Sequence, residues 1–143
     1  MVLKGKKFKM TQVWENDIAL PVTLIEVSEG LSDIDFKAGD LVTVSGKTKG
    51  RGFQGGVKRH GFHGGPQTHG QKNRWRAPGS IGATAPQRVL IGTHMAGRMG
   101  GDKVTLKNLT VVAIDNEKGL VSIKGAVPGR RGTVVTIAAI KKS

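Results

Sequence analysis

Between Leu41 and Gly101 the chain carries no aspartate or glutamate, and the stretch from Gly46 to Gly101 holds most of its glycines and all four of its histidines. Basic residues recur along the whole of that stretch: Lys47, Lys49, Arg51, Lys58, Arg59, Lys72, Arg74, Arg76, Arg88 and Arg98. No apolar period of 2 or 3.6 is sustained there, so it cannot bury enough apolar surface to offset the entropy of ordering so many residues. Whatever core the chain has must come from the two flanks. A long insertion without secondary structure is normally functional, and charge of one sign calls for a polyanion, of which RNA is the simplest.

At 143 residues the chain suits one domain, and without the glycine-rich stretch its core must be small. Lys plus Arg total 23 against 10 for Asp plus Glu, a net charge of +13. The excess is concentrated in 41–101, while the flanks nearly balance. Segregated charge is a footprint for nucleic acid or an anionic membrane. The membrane reading is the weaker: no apolar run approaches the roughly 20 residues of a spanning helix, and the basic stretch has no amphipathic helical face. The opening residues lack a signal-peptide pattern, and zero cysteine fits a reducing compartment. The expected location is the cytoplasm.

The flanks read as β. Met10–Trp14 is a short strand turning at Glu15-Asn-Asp17. From Ile18 to Val27, alternation puts Ile18, Leu20, Val22 and Leu24 on one face and Ala19, Thr23 and Ile25 on the other, with Pro21 marking an edge or a bulge. Glu29–Asp33 breaks the pattern, and Leu41–Val44 is a second strand. Val104–Ile114 is a longer one whose alternation changes phase at Asn108. After the turn Asp115–Gly119 come the strand Leu120–Lys124, the tight loop Gly125–Gly129 and a last strand from about Thr133 to Ile140. Helix signals are nearly absent. These short strands predict an all-β fold, a small closed barrel built from 1–45 and 102–143, with 46–101 as one long loop inserted in it.

Several motifs inside the stretch fail when tested against their chemistry. Gly50-Arg-Gly-Phe-Gln-Gly55 satisfies G-x-G-x-x-G, but nothing after it reads as a helix and no acid stands about 20 residues on. Gly46-Lys47-Thr48 resembles the end of a phosphate-binding loop, yet the first glycine of that motif would fall at Leu41. His60, His63 and His69 are closely spaced, but no carboxylate or thiolate lies near and arginines surround them, which argues against a metal site. A catalytic role lacks a local acid to orient a histidine and a serine beside one. The bland reading, a solvated basic loop, fits poorly with Lys72-Asn-Arg-Trp-Arg-Ala-Pro78, since plain basic tails are poor in Trp and Pro. The positive reading rests on interleaving. Lys and Arg supply phosphate contacts, glycine allows close backbone approach, and Phe53, Phe62, Trp75, His60, His63, His69 and His94 offer stacking or donor groups.

The runs Lys49-Gly-Arg-Gly-Phe-Gln-Gly-Gly-Val-Lys-Arg-His60, Gly64-Gly-Pro-Gln-Thr-His-Gly70, Arg76-Ala-Pro-Gly-Ser-Ile-Gly82 and Met95-Ala-Gly-Arg-Met-Gly100 closely resemble the large-subunit ribosomal protein L-three family, bacterial type. Gly5-Lys-Lys7, Met10-Thr-Gln12 and Ile123-Lys-Gly-Ala-Val-Pro-Gly129 in the flanks agree. The resemblance implies a translation-factor-like barrel bound to 23S-type large-subunit rRNA near its 3′ region, a loop reaching towards the peptidyl transferase centre, and an early role in assembly. It places the loop tip around Trp75–Ala83. It gives phosphate contacts to Lys and Arg of 47–98, and packing against rRNA to Trp75, Arg76 and Pro78. Implied partners are that rRNA and neighbouring large-subunit proteins, with no cofactor, metal, membrane or small-molecule substrate and no catalysis. Two features depart from the family. Ala83 stands where many members carry a methylated glutamine, and Ser28–Asp35 is some tens of residues shorter than usual, through a natural reduction or an engineered deletion. The rival function is a free-standing RNA chaperone or architectural nucleic-acid binder on the same barrel.

Overall fold

The computed structural model describes residues 2–27 and 36–140, so the short segment Ser28–Asp35 and the break expected over Glu29–Asp33 lie outside the described residues. In chain order the elements are β1 (Val2–Glu15), β2 (Ile18–Glu26), β3 (Leu41–Lys47), β4 (Phe53–Gln54), α1 (Gly56–His60), β5 (Gly97–Arg98), β6 (Lys103–Asp115), β7 (Leu120–Lys124) and β8 (Val134–Ala139). By contact the chain divides into two compact units, Met1–Lys49 with Gly101–Ser143, and Gly50–Gly100.

The first unit is one six-stranded antiparallel sheet in the order β1-β2-β7-β6-β3-β8. β8 pairs with β3 on one side and with β1 on the other, so the ring of pairings closes. Period-2 alternation aims one face of each strand inward. Val42 and Val44 of β3, Val121 and Ile123 of β7, and Val135 and Ile137 of β8 are all fully buried. Ile25, Val27, Val111, Val127 and Phe36 complete the cluster. On β2 the face that joins this core is that of Thr23 and Ile25, while Ile18 is exposed. Thr23 is buried without penalty because its hydroxyl donates to the Gly125 carbonyl at 2.6 Å.

β1 is longer than its sequence suggests. Its inward-facing positions near the start are Gly5 and Lys7, so no hydrophobic alternation marks it. Its turn forms at Asn16 and Asp17, with φ of 48° and 62°, the left-handed pair that a two-residue hairpin requires. Pro21 is an edge position: it faces Gln12, while the pairing of β2 with β7 begins only at Val22. The phase change at Asn108 is a bulge. Asn108 has φ 59°, and Leu106 and Leu109 face Val44 and Val42, one residue more on β6 than on β3.

At Gly5, β1 lies tight against the end of β2. A Cβ there would lie 2.6 Å from Ile25 Cγ2 and 2.8 Å from the Glu26 carbonyl oxygen. Gly5→Ala is therefore expected to destabilise the barrel by about 1–3 kcal/mol through overpacking against backbone that cannot yield. A urea titration reads this as a lowered midpoint at unchanged slope.

Lys7 sits beside it, 8% exposed, its Nζ donating to the carbonyls of Val127 at 2.8 Å and Gly129 at 3.0 Å. Burial, and secondarily the positive charge of Lys49, hold its pKa below the ordinary lysine value of 10.5. As pH rises the folded state gives up this proton before the unfolded state does, so between the lowered value and 10.5 the unfolded chain binds more protons and stability increases. Lys7→Met is expected to abolish that increase, measured as the difference in unfolding free energy between the two proteins from pH 8 upward.

Candidate nucleic-acid interface

Of residues 50–100, none is buried. Their order comes from hydrogen bonds and glycine geometry in place of a core. The two ends of this unit are clipped together: Arg51 N–H donates to the Met99 carbonyl and Met99 N–H to that of Gly52, both at 2.9 Å. β4 then pairs with β5, setting Phe53 opposite Arg98. Phe53 is 75% exposed, a flat apolar face presented beside a cation.

The sequence pointed to no helix after Gly55, and this is corrected by α1, a single turn with no acid in its first turn and Lys58, Arg59 and His60 in its last. Those cations suit the negative end of the helix. Gly61 terminates it with φ 74°, its N–H returning to Val57. The dinucleotide reading still fails, since β4 pairs antiparallel with β5 and forms no βαβ unit.

Four of the expected residues, Arg59, His60, Phe62 and His94, come together around α1. The rings of His60 and His94 stack with centroids 4.3 Å apart and planes 3° from parallel, and Phe62 lies 5.8 Å from His60 and 6.4 Å from His94. Arg59 Nη1 donates to the Met95 carbonyl at 2.7 Å, and His60 Nε2 is 3.1 Å from the same oxygen. Gly56 and Gly97 make this possible: a Cβ on Gly56 would be 2.8 Å from Phe62, and one on Gly97 2.8 Å from the Arg59 guanidinium.

A second assembly surrounds Trp75. Gly65 N–H donates to the Trp75 carbonyl at 2.8 Å, and a Cβ on Gly64 would collide with the same carbonyl. Arg76 lies over the indole, 5.8 Å from its centroid, within cation–π range. The Trp75 side of this pair is half exposed, at 46%.

The remaining expected residues are not gathered into either cluster. Lys47 belongs to β3 of the barrel, paired with Lys103, and Lys49 follows it there. Lys58, His63, His69, Lys72, Arg74, Pro78 and Arg88 are exposed along the second unit, with His69 at φ 61°. Among the described residues no group of three or more potential ligands is placed to hold a metal ion. The ion pair observed among them is Lys118 with Asp115, so the cations of 50–100 have no carboxylate partner there. Sequence reasoning passed over Gly56, Gly64, Gly65 and Gly97 as individual sites. Only Gly56 had a local signal, Phe62 a few residues on; Gly64, Gly65 and Gly97 are required by Trp75, Arg74 and Arg59, which lie too far along the chain for spacing to show it.

Fold and site together define a basic all-β protein that displays cations and aromatic faces on a unit without a core. Residues 22–122 match the family model of ribosomal protein L3, and the chain belongs to that family. It is 50% identical over 137 residues to the large ribosomal subunit protein uL3 of Chlorobium limicola, covering 95% of the chain and 62% of that relative. To the uL3 of Dehalococcoides mccartyi strain ATCC BAA-2100 it is 49% identical over 117 residues, covering 81% and 57%. The chain thus spans about three fifths of the length of these relatives. With the uL3 of Leifsonia xyli the match is 38% over 201 residues, covering 94% and 92%. That match is longer than the 143-residue chain, so this relative carries internal residues that the chain lacks. Among the described residues no helix is long and apolar enough to cross a membrane.

Proposed function

We propose that the chain is a structural constituent of the large ribosomal subunit, acting in the cytoplasm and without catalysis. The barrel, of translation-factor type, docks on 23S-type rRNA near its 3′ region. Residues 46–101 form an rRNA-binding loop that reaches towards the peptidyl transferase centre and assists assembly. Lys47, Lys49, Arg51, Lys58, Arg59, Lys72, Arg74, Arg88 and Arg98 neutralise phosphates, while Phe53, Phe62, Trp75 with Arg76, Pro78 and the four histidines pack on bases or donate to phosphate. Neighbouring ribosomal proteins complete its surroundings.

The observation that carries this reading is a unit of positive charge with no acid and no buried residue from Gly50 to Gly100, in a member of the ribosomal protein L3 family. Such a unit gains its packing from a partner. The rival, a free-standing RNA chaperone, draws support from the missing length relative to the first two relatives. Co-sedimentation separates them: the chain is expected to remain on large subunits through a high-salt wash, and complete release would favour the chaperone.

A further inference from the structure

The hairpin of β1 and β2 extends past the barrel. β1 pairs with β8 only from Val2 to Lys6, and β2 with β7 only from Val22 to Glu26, so in the sheet residues 12–15 and 18–21 pair with each other alone, with Met10 and Thr11 at the base of this ribbon opposite Thr23 and Val22. A bare two-stranded ribbon is marginal in water, yet this one exposes large apolar side chains. Trp14 is 66% exposed and Ile18 62%, with Met10 and Val13 also exposed. Residues facing each other across a ladder share a face. Gln12 with Pro21 and Trp14 with Ala19 therefore make one side, extended by Met10, and Met10, Thr11, Gln12, Ala19 and Pro21 line a shallow hollow.

The charge here is opposite to that of the rest of the protein. From Met10 to Phe36 the sequence has no Lys or Arg, and the ribbon tip carries Glu15 and Asp17 on either side of Asn16, in a chain of net charge +13. Phosphate would be repelled by that tip and would find no cation on the ribbon. A basic protein surface has the complementary sign, and an exposed tryptophan flanked by smaller apolar groups is the usual anchor of a protein contact.

We propose that the ribbon Met10–Pro21 is a protein-docking element, with Trp14 and Met10 seated in an apolar depression of a Lys/Arg-rich partner whose cations meet Glu15 and Asp17. This rests on the ribosomal reading above, and makes that partner a neighbouring protein of the subunit. RNA and a second copy of the chain are the alternatives that the test distinguishes.

The photoreactive amino acid benzoylphenylalanine is placed at position 14 of the full chain, and separately at position 75. Large subunits are isolated after irradiation, and the cross-linked species are identified by mass spectrometry. The expected result is a protein cross-link from position 14, to one peptide rich in Lys or Arg, and an rRNA cross-link from position 75. Glu15→Lys combined with Asp17→Lys should lower the protein cross-link about tenfold by placing like charges together. A position-14 cross-link to rRNA or to a second copy overturns the docking proposal, as does a subunit carrying the chain with no protein cross-link from position 14. Absence of the chain from the subunit overturns the ribosomal reading and the docking proposal with it. Presence with an rRNA cross-link overturns the docking proposal alone.

Discussion

Between about 50 and 200 mM salt, binding of the full chain to a large-subunit rRNA fragment is expected to weaken by about 10³- to 10⁵-fold, the range for proteins that neutralise 6–10 phosphates. The cations available are Lys47, Lys49, Arg51, Lys58, Arg59, Lys72, Arg74, Arg76, Arg88 and Arg98. Those in Gly50–Gly100 have no carboxylate partner among the described residues, so each is free to displace a condensed counterion. Replacing Lys47, Lys49 and Arg51 together by Ala should reduce the slope of log K against log salt by about 2–3, each phosphate contact accounting for roughly 0.7–0.9. The ranking of RNA sequences should not change, because phosphate contacts position the protein and carry no sequence information. A slope near zero in the wild-type chain would refute the charge-neutralisation reading, and a triple variant with altered sequence preference would assign base contacts to those three residues.

The strands that were legible in the sequence are those whose inward positions are β-branched. β3, β7 and β8 announce themselves by Val42 and Val44, Val121 and Ile123, and Val135 and Ile137, and the bulge at Asn108 by a break in the same alternation. The first half of β1 was hidden, because a glycine and a lysine occupy the inward sites. Gly5 is required there by the approach of Ile25, and Lys7 is admitted because two carbonyls receive its ammonium. α1 was missed for a different reason. One turn of helix offers no periodicity to detect, and this one is held by the Gly61 cap and by Arg59 reaching Met95 rather than by an apolar face. The site was legible in its residue types and less so in its geometry. Charge and aromatic content named His60, Phe62 and His94 as candidates, but nothing in the spacing said that residues more than thirty apart would stack. The Trp14 ribbon was legible as a strand only, since its exposure depends on where β7 and β8 stop pairing.

Gly64→Ala is expected to leave the barrel and subunit incorporation nearly unchanged while slowing peptide transfer by about ten- to a hundredfold, on the proposed placement of the tip near the reacting centre. Gly64 has φ 74°, and a Cβ there collides with the Trp75 carbonyl, which already accepts the Gly65 N–H at 2.8 Å. Accommodating alanine therefore means moving the Trp75 backbone, and with it the indole and the Arg76 guanidinium above it. Barrel stability should not respond, since none of residues 50–100 is buried. Docking is protected because charge neutralisation is spread over many cations. Gly61→Ala is the control: it shares φ 74° but has no atom within 4 Å of the added Cβ, so it carries the backbone strain, about 1–2 kcal/mol, without displacing Trp75. Trp75→Ala completes the comparison by removing the stacking face, about 1–3 kcal/mol, from a much larger total. The measurement is protein occupancy and single-turnover transfer to a minimal acceptor in purified subunits carrying each variant. If position of the tip is what matters, Gly64→Ala and Trp75→Ala slow transfer together and Gly61→Ala does not. Lost occupancy with unchanged transfer in the subunits that retain the protein would instead move Trp75 from the tip to the docking surface.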